Sequence, residues 1–511
     1  PAAMGGRMVV QWDKDALETA GLIKIDILGL RMLSAIAEAE QLVRATSGQP
    51  LDLDRLTFDD QAVYAMIGRA DTIGVFQVES RAQAQILPRL RPRSFNDLIV
   101  AISLIRPGPL QGDMVHPYLR RRQGLEPVTY KHPLLKPALE ETLGVILFQE
   151  QVLKVARDLA GFSAGQGEQL RRALGAKRAD AAIERLRAAF VAGATARGVS
   201  DGIAAAVFEQ LRAFGSYSFP KSHAAAFAVL VYQSAWLKRY HAAAFFCALL
   251  NNQPMGFWPP AILVRDAQRH GVEMLGVDVA RSLPRCRTDG QRIRLGFNYI
   301  TGLGHDGAER IVAARQHGPF ADLADLCRRT RLARRTVEAL IVAGACDGWG
   351  VARRQLLWEL GTLRYQEDEL ELPVPGPDVE LPTMTRAEAY VGEVDVLGFS
   401  VDEHIMAFYR RWLDTRRMPN SATLEGCDDG QRVRVAGQCV VHQAPPTAKG
   451  FQFLTLDDEW GMINVIVSPG VAQRFGCTLH GSRILLVEGV VQREGEVINV
   501  IAQRVEPLVV G

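Results

Sequence analysis

Residues 21–31, GLIKIDILGLR, place Lys24 and Asp26 inside an apolar run. The alternating β-branched residues predict a buried strand over 22–28, followed by a helix that begins near Met32. A carboxylate where a strand leaves its sheet is costly unless a positive charge lies close to it. Asp26 is therefore either an ion-paired residue, with Lys24 on the same face of the strand, or a metal ligand. A single carboxylate rarely holds Mg²⁺ for catalysis, so the second interpretation requires further ligands.

Cationic residues in two later segments form a second group of candidates. They are Arg171, Arg172 and Lys177 in LRRALGAKR, and Lys221 and His223 in FPKSH. Together they would make a pocket for a triphosphate, because arginine offers a bidentate fork, lysine a point charge and histidine a donor near the leaving phosphates. The alternative is that they lie on solvated helix faces and at a proline-led helix start. The spacing leaves both interpretations open.

The segment 297–311, FNYITGLGHDGAERI, indicates a helix, a GLG turn and a second helix, the helix-hairpin-helix arrangement. Glycines in the turn let backbone amides approach a phosphate without an intervening Cβ. Residues 281–360 contain fourteen arginines against eight acidic residues, a composition typical of DNA-backbone binding. A second helical pair from Thr336 onwards would complete a tandem unit; the alternative is a tight turn with a basic solvent face. The residues predicted to bind DNA are Gly302, Gly304, Arg310 and Arg315.

The composition indicates a large protein built from several domains. With 511 residues and 48% hydrophobic content the chain can fill several cores, and no apolar run is long enough to span a bilayer. The sequence opens without an initiator methionine, so we expect that the front of a larger protein is missing. Seven scattered cysteines never form a CxxC pair, which argues against a zinc module or a disulfide framework and for a reducing compartment. Because the formal net charge is only +2, the positions of the basic residues matter more than their number.

The pattern along the chain divides it into five intervals. They are the end of one domain (1–31), a mostly helical block (32–285), an arginine-rich helical block (286–355), a linker that includes the acidic, proline-rich stretch 367–382 (356–428) and a region of short alternating strands (429–511). Five strands at the spacing of the last interval fit a small closed barrel such as an OB fold.

The predicted barrel has few residues of the kind that bind nucleic acid. OB folds bind single strands through aromatic residues and basic grooves. Because aromatic candidates are scarce here, a scaffold or protein-docking role is nearly as well supported as DNA binding. The candidates are Phe451, Phe453, Trp460, Arg432, Arg434, Arg483 and Arg493.

Seven segments, in this order, resemble sequence blocks of the C-family bacterial DNA polymerases, the DNA polymerase III α-subunit group. They are KIDILGLRML, TIGVFQVES, LIRPGPL, GVILFQEQV, LRRALGAKR, FPKSHAAAF and LGFNYITGLG. The resemblance covers essentially the whole chain. The WDKD at 12–15 and PPTAKGFQFLTLDDEWGMINVIV at 445–467 are similar to the error-prone, translesion branch of that family. The lack of a QxxLF-like sliding-clamp motif in 356–385 is typical of the same branch.

The resemblance implies a multidomain, mainly α protein with a C-terminal all-β barrel of the OB type. Residues 1–31 would be the end of the palm domain, with one residual palm strand at the N-terminus, and 32–285 would be the fingers domain. A tandem helix-hairpin-helix region (286–355), a linker or strap (356–428) and the OB-fold domain (429–511) would follow.

The resemblance also implies an activity and its ligands. The family catalyses templated nucleotidyl transfer with two Mg²⁺ ions held by three palm aspartates. Asp26 resembles the third of these, which makes it both a catalytic residue and a metal ligand. The first two lie in a PDxDxDF-like motif that this sequence does not contain, so the chain would supply one ligand of the two-metal site. The residues implied to bind the nucleotide are Lys24, Arg171, Arg172, Lys221 and His223.

The resemblance therefore leads us to expect the C-terminal half of an error-prone DNA polymerase, which would need upstream palm aspartates for activity. The implied partners are primer–template DNA, dNTPs and other translesion-synthesis proteins, with no membrane, in the bacterial cytoplasm at the nucleoid. Two alternatives stay open. One is a DNA-binding remnant without catalysis, and the other is an interaction module that recruits damage-tolerance proteins through the barrel and the acidic strap.

Overall fold

The structure is a computed structural model in which helices predominate and the C-terminal strands form a closed barrel. It describes residues 2–4, 7–8, 10–13, 16–25, 29–48, 51–105, 115–175, 180–215, 219–365, 381–445 and 448–509. Among these residues, no helix combines the length and the apolar character needed to cross a membrane.

Helices joined by short turns make up most of the chain up to Arg269. They are α1 (Ala16–Thr19), α2 (Arg31–Ser47), α3 (Gln61–Gly68), α4 (Arg81–Leu90), α5 (Phe95–Leu104), α6 (Val115–Arg122), α7 (Lys136–Leu139), α8 (Gln149–Ala160), α9 (Ala164–Gly175), α10 (Asp180–Thr195), α11 (Asp201–Gly215), α12 (Lys221–Tyr240), α13 (Ala242–Asn251) and α14 (Pro260–Arg269). The mostly helical pattern predicted here is confirmed, and α2 begins one residue before the predicted start at Met32.

The predicted N-terminal strand is not present in its described part. Residues 22–25 belong to no strand, and Ile23 is 90% exposed. Strand residues need neighbouring strands to pair their backbone and cover their side chains. The two strands before them, β1 (Ala2–Met4) and β2 (Arg7–Met8), form a two-stranded sheet of their own. Asp26 lies outside the described residues.

A small three-stranded sheet follows α14, where the sequence predicts helices. Strands β3 (Glu273–Leu275) and β5 (Arg292–Arg294) are parallel, and β4 (Arg287–Asp289) pairs with β5 antiparallel. Gly290 is the first residue of the two-residue loop between β4 and β5 and has a φ of +62°. Glycine at this loop position favours a hairpin, and here it outweighs the helical periodicity around it.

The described residues after β5 form eight further helices. They are α15 (Gly304–Arg315), α16 (Leu323–Thr330), α17 (Arg334–Val342), α18 (Arg353–Thr362), α19 (Arg386–Leu397), α20 (Arg410–Thr415), α21 (Ser421–Leu424) and α22 (Pro469–Gly481). Helices α19 to α21 lie in the interval 356–428, which the sequence predicts as a linker, and its acidic part, 366–380, lies outside the described residues. Met406, Leu413 and Met418 cluster with barrel residues, which gives this interval apolar contacts that a solvated linker would not have.

The helices enclose two adjoining hydrophobic cores. One is built from residues between Val63 and Ala235, and the other from α2 together with residues 237–401. Helix α12 contributes to both, since Ala235 belongs to the first core and Leu237 to the second. The interval 32–285, a single block by its periodicity, therefore contains parts of two cores.

The C-terminal strands close into a barrel. They are β6 (Arg432–Gln443), β7 (Gln452–Asp457), β8 (Met462–Val467), β9 (Ile484–Glu494) and β10 (Val497–Pro507). The order around the barrel is β10-β8-β7-β6-β9, with β8 and β10 parallel, the other pairs antiparallel, and α22 between β8 and β9. This is the topology of an OB fold, so the predicted OB-type barrel is confirmed.

Helix α4 packs against the barrel through a buried arginine. Arg81 is 7% exposed. Its guanidinium donates hydrogen bonds to the carbonyl oxygens of Leu454 (2.5 Å) and Val465 (3.1 Å), on the adjacent strands β7 and β8. It also lies 5.1 Å from the ring centroid of Phe453. Two charged hydrogen bonds and a cation–π contact in a buried site hold the barrel against the helices.

The ammonium of Lys238 lies at the centre of a buried ion cluster. It is 2.7 Å from Oδ1 of Asp71, 2.7 Å from Oδ2 of Asp266 and 3.1 Å from the carbonyl oxygen of Ile73. The Lys238 side chain is fully buried, and Nε2 of His270 lies 2.8 Å from Oδ2 of Asp71. Since a buried charge is stable only when it is paired, the cluster fixes the loop after α3, helix α12 and helix α14 relative to one another.

The same cluster extends to the barrel. Arg269 lies 3.5 Å from Oδ1 of Asp266 and 3.7 Å from Oδ1 of Asp457, at the end of β7. Oδ2 of Asp457 lies 3.1 Å from Nε2 of His404. One chain of neighbouring charges therefore connects both helical cores with the barrel.

We expect Lys238→Met to lower the free energy of unfolding by about 3–5 kcal/mol, because it leaves buried carboxylates without their cation. Urea denaturation followed by tryptophan fluorescence measures this as a lower transition midpoint. Lys136→Met is the matched control, since Lys136 is exposed and lies 3.9 Å from Glu140; we expect a change below about 0.5 kcal/mol. Equal midpoints for the two variants would contradict the role given to the cluster.

Candidate functional site

A cavity of about 690 Å³ lies between the start of α2, helices α4 and α5, and the turn before α14. We call it the first cavity. It lies where the residues that follow Asp26 in the chain meet the segment TIGVFQVES. Its lining includes Gly29, Arg31, Phe76, Glu79, Ile102 and Phe257. Two of the segments selected from the sequence therefore share one cavity.

Ring contacts connect the first cavity to His223. Phe76 stacks on Phe227 with centroids 5.2 Å apart. The His223 ring lies edge-on to Phe227 at 4.3 Å and to Phe219 at 5.1 Å, and it is exposed. Gln77, next to Phe76, has a φ of +61°, a left-handed conformation that is uncommon for a non-glycine residue and clusters at ligand sites.

Glu79 is a carboxylate of the first cavity that the sequence analysis missed. Its Oε2 accepts a hydrogen bond from the amide of Gly74 (3.1 Å) and its Oε1 one from the amide of Phe257 (2.9 Å). Burial raises the pKa of Glu79 to about 7, and the two amides offset this only in part. Glu79 also lines a second cavity, of about 320 Å³, between the helices and the barrel. The signal in the sequence was an acidic residue at the end of an apolar run.

Lys221, at the start of α12, is paired with acidic neighbours. Its Nζ lies 2.5 Å from Oε2 of Glu141 and 5.6 Å from the ring centroid of Phe148. Its backbone amide donates to the carboxylate of Glu150 at 3.0 Å. The Lys221 side chain is 37% exposed. An ion pair with this exposure contributes little stability, so a phosphate can take the place of Glu141.

Arg171 and Arg172 share one carboxylate on their own helix, α9. Arg171 donates two hydrogen bonds to Glu168, of 2.6 and 2.7 Å, and Arg172 donates one of 2.9 Å. The hydrogen bond from Arg171, then that from Arg172, lowers the pKa of Glu168 to about 2. The one carboxylate of Glu168 balances one of their two positive charges. Within the described ranges no hydrogen bond or ion pair links them to Lys221 or His223.

The remaining predicted ligands are placed as follows. Lys24 is exposed and precedes the first cavity in the chain. Lys177, like Asp26, lies outside the described residues. The structure therefore connects His223 with the first cavity and leaves Arg171 and Arg172 on a separate helix.

The predicted helix-hairpin-helix is present, with a 3₁₀ helix as its first element. The 3₁₀ helix Phe297–Tyr299 precedes the hairpin, and α15 follows it. Gly302 and Gly304 have φ values of +83° and +67°, and no heavy atom lies within 4 Å of where a Cβ would stand on either residue. Apart from Leu303 the turn is exposed, so a phosphate has access to its backbone.

Arg310 and Arg315, both predicted to bind DNA, bind backbone carbonyls of the chain. Nη1 of Arg310 lies 3.2 Å from the carbonyl oxygen of Arg331, just after α16, and Nη1 of Arg315 lies 3.2 Å from that of Val279. Burial lowers the pKa of Arg315, and Arg287 nearby adds to this. Carbonyls at helix ends, such as that of Arg331, attract cations. The contacts of both arginines stabilise the unit. A DNA contact of either arginine stays a prediction.

The second hairpin differs from the first. Gly344 has a φ of +78°, but the guanidinium of Arg353 packs against it. Arg353 donates hydrogen bonds to Asp347 (2.7 Å), Glu393 (2.9 Å) and the carbonyl oxygen of Val342 (3.1 Å). The second turn is thus closed by an internal arginine, whereas the first is open.

One group of side chains has the composition of a metal site. Ligand atoms of Asp71, Asp266 and His270 lie within 4.8 Å of one another. The ammonium of Lys238 is 2.7 Å from both carboxylates, so the group already contains a cation. Burial alone would raise the pKa of Asp71, but His270 and Lys238 hold it well below its usual range. Mg²⁺ prefers six oxygen ligands and does not fit beside an ammonium and an imidazole.

Comparisons with known proteins identify the family. The model of the bacterial DNA polymerase III alpha subunit finger domain matches residues 32–198, and a helix-hairpin-helix motif model matches 271–356. The error-prone DNA polymerase of Mycobacterium bovis is 46% identical over 98% of this chain and 47% of its own length. Those of Anaeromyxobacter dehalogenans (strain 2CP-1) and Alkalilimnicola ehrlichii are 44% identical over 99% of this chain, and 46% and 50% of their own lengths. The chain belongs to the C-family bacterial DNA polymerases.

The chain spans about half the length of the curated relatives it matches. The finger-domain match includes Glu79, Arg171 and Arg172, whereas Lys221 and His223 lie beyond it. The helix-hairpin-helix match includes both hairpins. Among solved structures, asparaginyl-tRNA synthetase from Pyrococcus horikoshii matches 15% of this chain and 20% of its own at 25% identity, with a TM-score of 0.14, which is too low to support an argument.

We expect the stability of this chain to depend on pH through Glu79. Its pKa is about 7 in the folded chain against an ordinary 4.5. A raised carboxyl pKa contributes stability that is complete below the ordinary pKa and is lost as the pH rises through the folded value. Glu79→Gln removes this titration, so its stability relative to the parent should rise between pH 4.5 and 7 by on the order of 2 kcal/mol.

Urea midpoints of parent and variant across this pH range measure the difference. Glu168→Gln is the control, because the pKa of Glu168 lies at about 2 and its titration falls below the range. Parallel pH profiles for the parent and Glu79→Gln would show that Glu79 titrates normally.

Proposed function

We propose that this chain is the C-terminal portion of an error-prone, DNA-directed DNA polymerase that acts in damage-tolerant, translesion synthesis in the bacterial cytoplasm. The observation that carries the proposal is the 44–46% identity to error-prone DNA polymerases over 98–99% of the chain. The open glycine hairpin and the cavity beside the TIGVFQVES segment support it, because a polymerase needs a phosphate-backbone contact and a pocket next to its palm.

In this proposal the first cavity borders the nucleotide site. Lys24, Lys221 and His223 bind the triphosphate of the incoming nucleotide, with Arg171 and Arg172 brought in from α9. The local ion pairs support an exchange of carboxylate for phosphate, because arginine binds both groups with the same bidentate geometry. A triphosphate carries more charge than the single carboxylates of Glu168 and Glu141, so it competes for these cations.

We propose Asp26 as the one Mg²⁺ ligand that this chain contributes to a two-metal site. The other carboxylates are proposed to come from a palm segment outside these 511 residues, since the PDxDxDF-like motif does not occur in them. When bound, such metals stabilise charge on the attacking and leaving oxygens. The residues of the chain itself bind and orient the triphosphate and the primer–template DNA.

A second candidate function is DNA binding without catalysis. It is favoured by one observation: the turn of the first hairpin is open and exposed, so its backbone can meet a phosphate without any metal ligand. The helix-hairpin-helix and the barrel would still bind primer–template DNA, with a strong dependence on salt.

We expect Gly302→Asn to weaken duplex DNA binding about tenfold, the effect of losing one charge-assisted hydrogen bond. Asparagine tolerates the positive φ of this residue, so the hairpin keeps its shape while the new side chain fills its open face. Fluorescence anisotropy with a labelled duplex measures the affinity. Gly348→Asn is the control, because Gly348 also has open space around it and an ordinary φ. Unchanged binding by Gly302→Asn would remove the hairpin from the DNA contact.

Primer extension tests the activity itself. The chain is assayed with Mg²⁺, dNTPs and a primed template, alone and together with a polypeptide that carries a PDxDxDF-containing palm from a relative. We expect extension only in the combination. Asp26→Asn should lower the extension rate at least about 100-fold, because a metal ligand contributes more to activity than the residues that hydrogen-bond to it. Asp52→Asn is the matched control, since it changes an exposed carboxylate at the start of a 3₁₀ helix.

The outcomes separate the two candidates. Extension by the chain alone that is lost in Asp26→Asn would contradict the incomplete site and point to substitute carboxylates. Salt-sensitive DNA binding without extension in any combination would favour the non-catalytic function.

A further inference from the structure

Much of the usual nucleic-acid surface of the barrel is occupied by the rest of the chain. OB folds bind oligonucleotides on the face of their second and third strands and through the loops that join the first to the second and the fourth to the fifth strand. Here the second and third strands are β7 and β8, whose Leu454 and Val465 carbonyls accept hydrogen bonds from Arg81 at 2.5 and 3.1 Å. A single strand cannot lie on this part of the face while α4 is docked there.

The loop between the fourth and fifth strands is engaged as well, and it is acidic. Glu494 lies 3.2 Å from Arg89, and Glu496 lies 3.6 Å from Arg91. Two carboxylates at the tip of a hairpin repel a phosphate backbone. The face of β7 and β8 and the loop between β9 and β10 are therefore turned towards α4 and away from a free ligand.

A basic groove of about 580 Å³ lies elsewhere on the barrel, between β6 and the segment that follows α20. We call it the arginine groove. Four arginines line it, against the single acidic residue Asp414, and all four are exposed. They are Arg416, Arg417, Arg432 and Arg434. The groove therefore carries an excess of positive charge.

The charges of the arginine groove are available to a ligand. Among the described residues, Arg417, Arg432 and Arg434 form no side-chain hydrogen bond or ion pair. Arg416 packs 4.0 Å from the ring centroid of Trp412 and donates to its carbonyl oxygen at 3.3 Å. Because none of the four arginines is paired with a carboxylate among the described residues, a phosphate binds without breaking an ion pair there.

Strand geometry spaces two of these charges regularly. Arg432 and Arg434 share the outer face of β6, and Val433 between them is buried in the barrel. Residues two apart on a strand are separated by about 6.6–6.8 Å, a distance similar to that between successive phosphates of an extended nucleic-acid strand. Glu488 lies opposite Arg434 on β9 but forms no ion pair with it among the described residues.

We propose that the arginine groove binds the phosphodiester backbone of single-stranded DNA. The volume of the groove lies within the range of about 300–1,000 Å³ that ligand pockets occupy. A flexible single strand can follow the line of arginines, whereas a duplex presents its phosphates on a wide convex surface. This inference rests on the proposed function and assigns the barrel a binding face other than β7 and β8.

Binding of a fluorescent oligothymidylate to the full chain, followed by anisotropy between about 50 and 200 mM salt, tests the groove. We expect Arg432→Gln/Arg434→Gln to weaken binding about tenfold at the lower salt. The slope of log K against log salt should fall by about 1.4, from two lost contacts of about 0.7 each. Arg416→Gln/Arg417→Gln changes the opposite wall of the groove and should act in the same direction.

The matched control is Arg44→Gln/Arg55→Gln, which removes two exposed positive charges outside the groove. We expect its affinity to stay within about twofold and its salt slope to be unchanged. Equal losses in the control and in both groove variants would show a general charge effect and overturn the proposal. Losses of the same size for a blunt duplex would overturn the assignment to single strands.

Two further outcomes separate this proposal from the proposed function. Normal oligothymidylate binding by both groove variants, with duplex binding weakened by Gly302→Asn, overturns the groove alone. A parent chain that binds neither single-stranded nor duplex DNA overturns the groove and the DNA-binding function together.

Discussion

The buried ammonium of Lys238 is the interaction on which the arrangement of this molecule depends. Helix α12 belongs to two cores, and Lys238 lies where it passes from one to the other. Its two carboxylate partners come from a loop of the first core and from α14 of the second, and Arg269 continues the chain of charges to Asp457 on the barrel. A buried cation has no water to replace a missing partner. The relative positions of these segments therefore depend on the complete set of ion pairs around Lys238.

The position of the barrel follows from this constraint. With Asp457 held near Arg269, strands β7 and β8 lie against α4, and Arg81 reaches their carbonyls. An OB topology by itself indicates a ligand-binding face. The packing of α4 against the barrel decides whether a ligand can reach that face. In this chain the barrel both packs against the helices and carries a separate basic groove.

Ion pairing decides which of the many arginines can meet a phosphate. Arg310 and Arg353 bind carbonyls or carboxylates of the chain, whereas Arg432 and Arg434 project from the barrel without a partner among the described residues. Arg171 is intermediate, since its carboxylate lies on its own exposed helix turn and can be exchanged. A basic composition therefore indicates a polyanionic ligand. The number of arginines available to that ligand is smaller than the total number of arginines, because some are paired within the chain.

The sequence by itself determined the local features of this protein. Alternation predicted the five barrel strands, periodicity predicted the helices, and paired glycines predicted the open hairpin at Gly302, because each depends on backbone preferences of neighbouring residues. The family blocks predicted the polymerase relationship. Only the tertiary structure decided that residues 22–25 are not a strand, that Glu79 is buried with a pKa near 7 and that Arg81 closes the barrel face. Burial and charge pairing depend on atoms that are hundreds of residues apart in the chain, and no local pattern contains them.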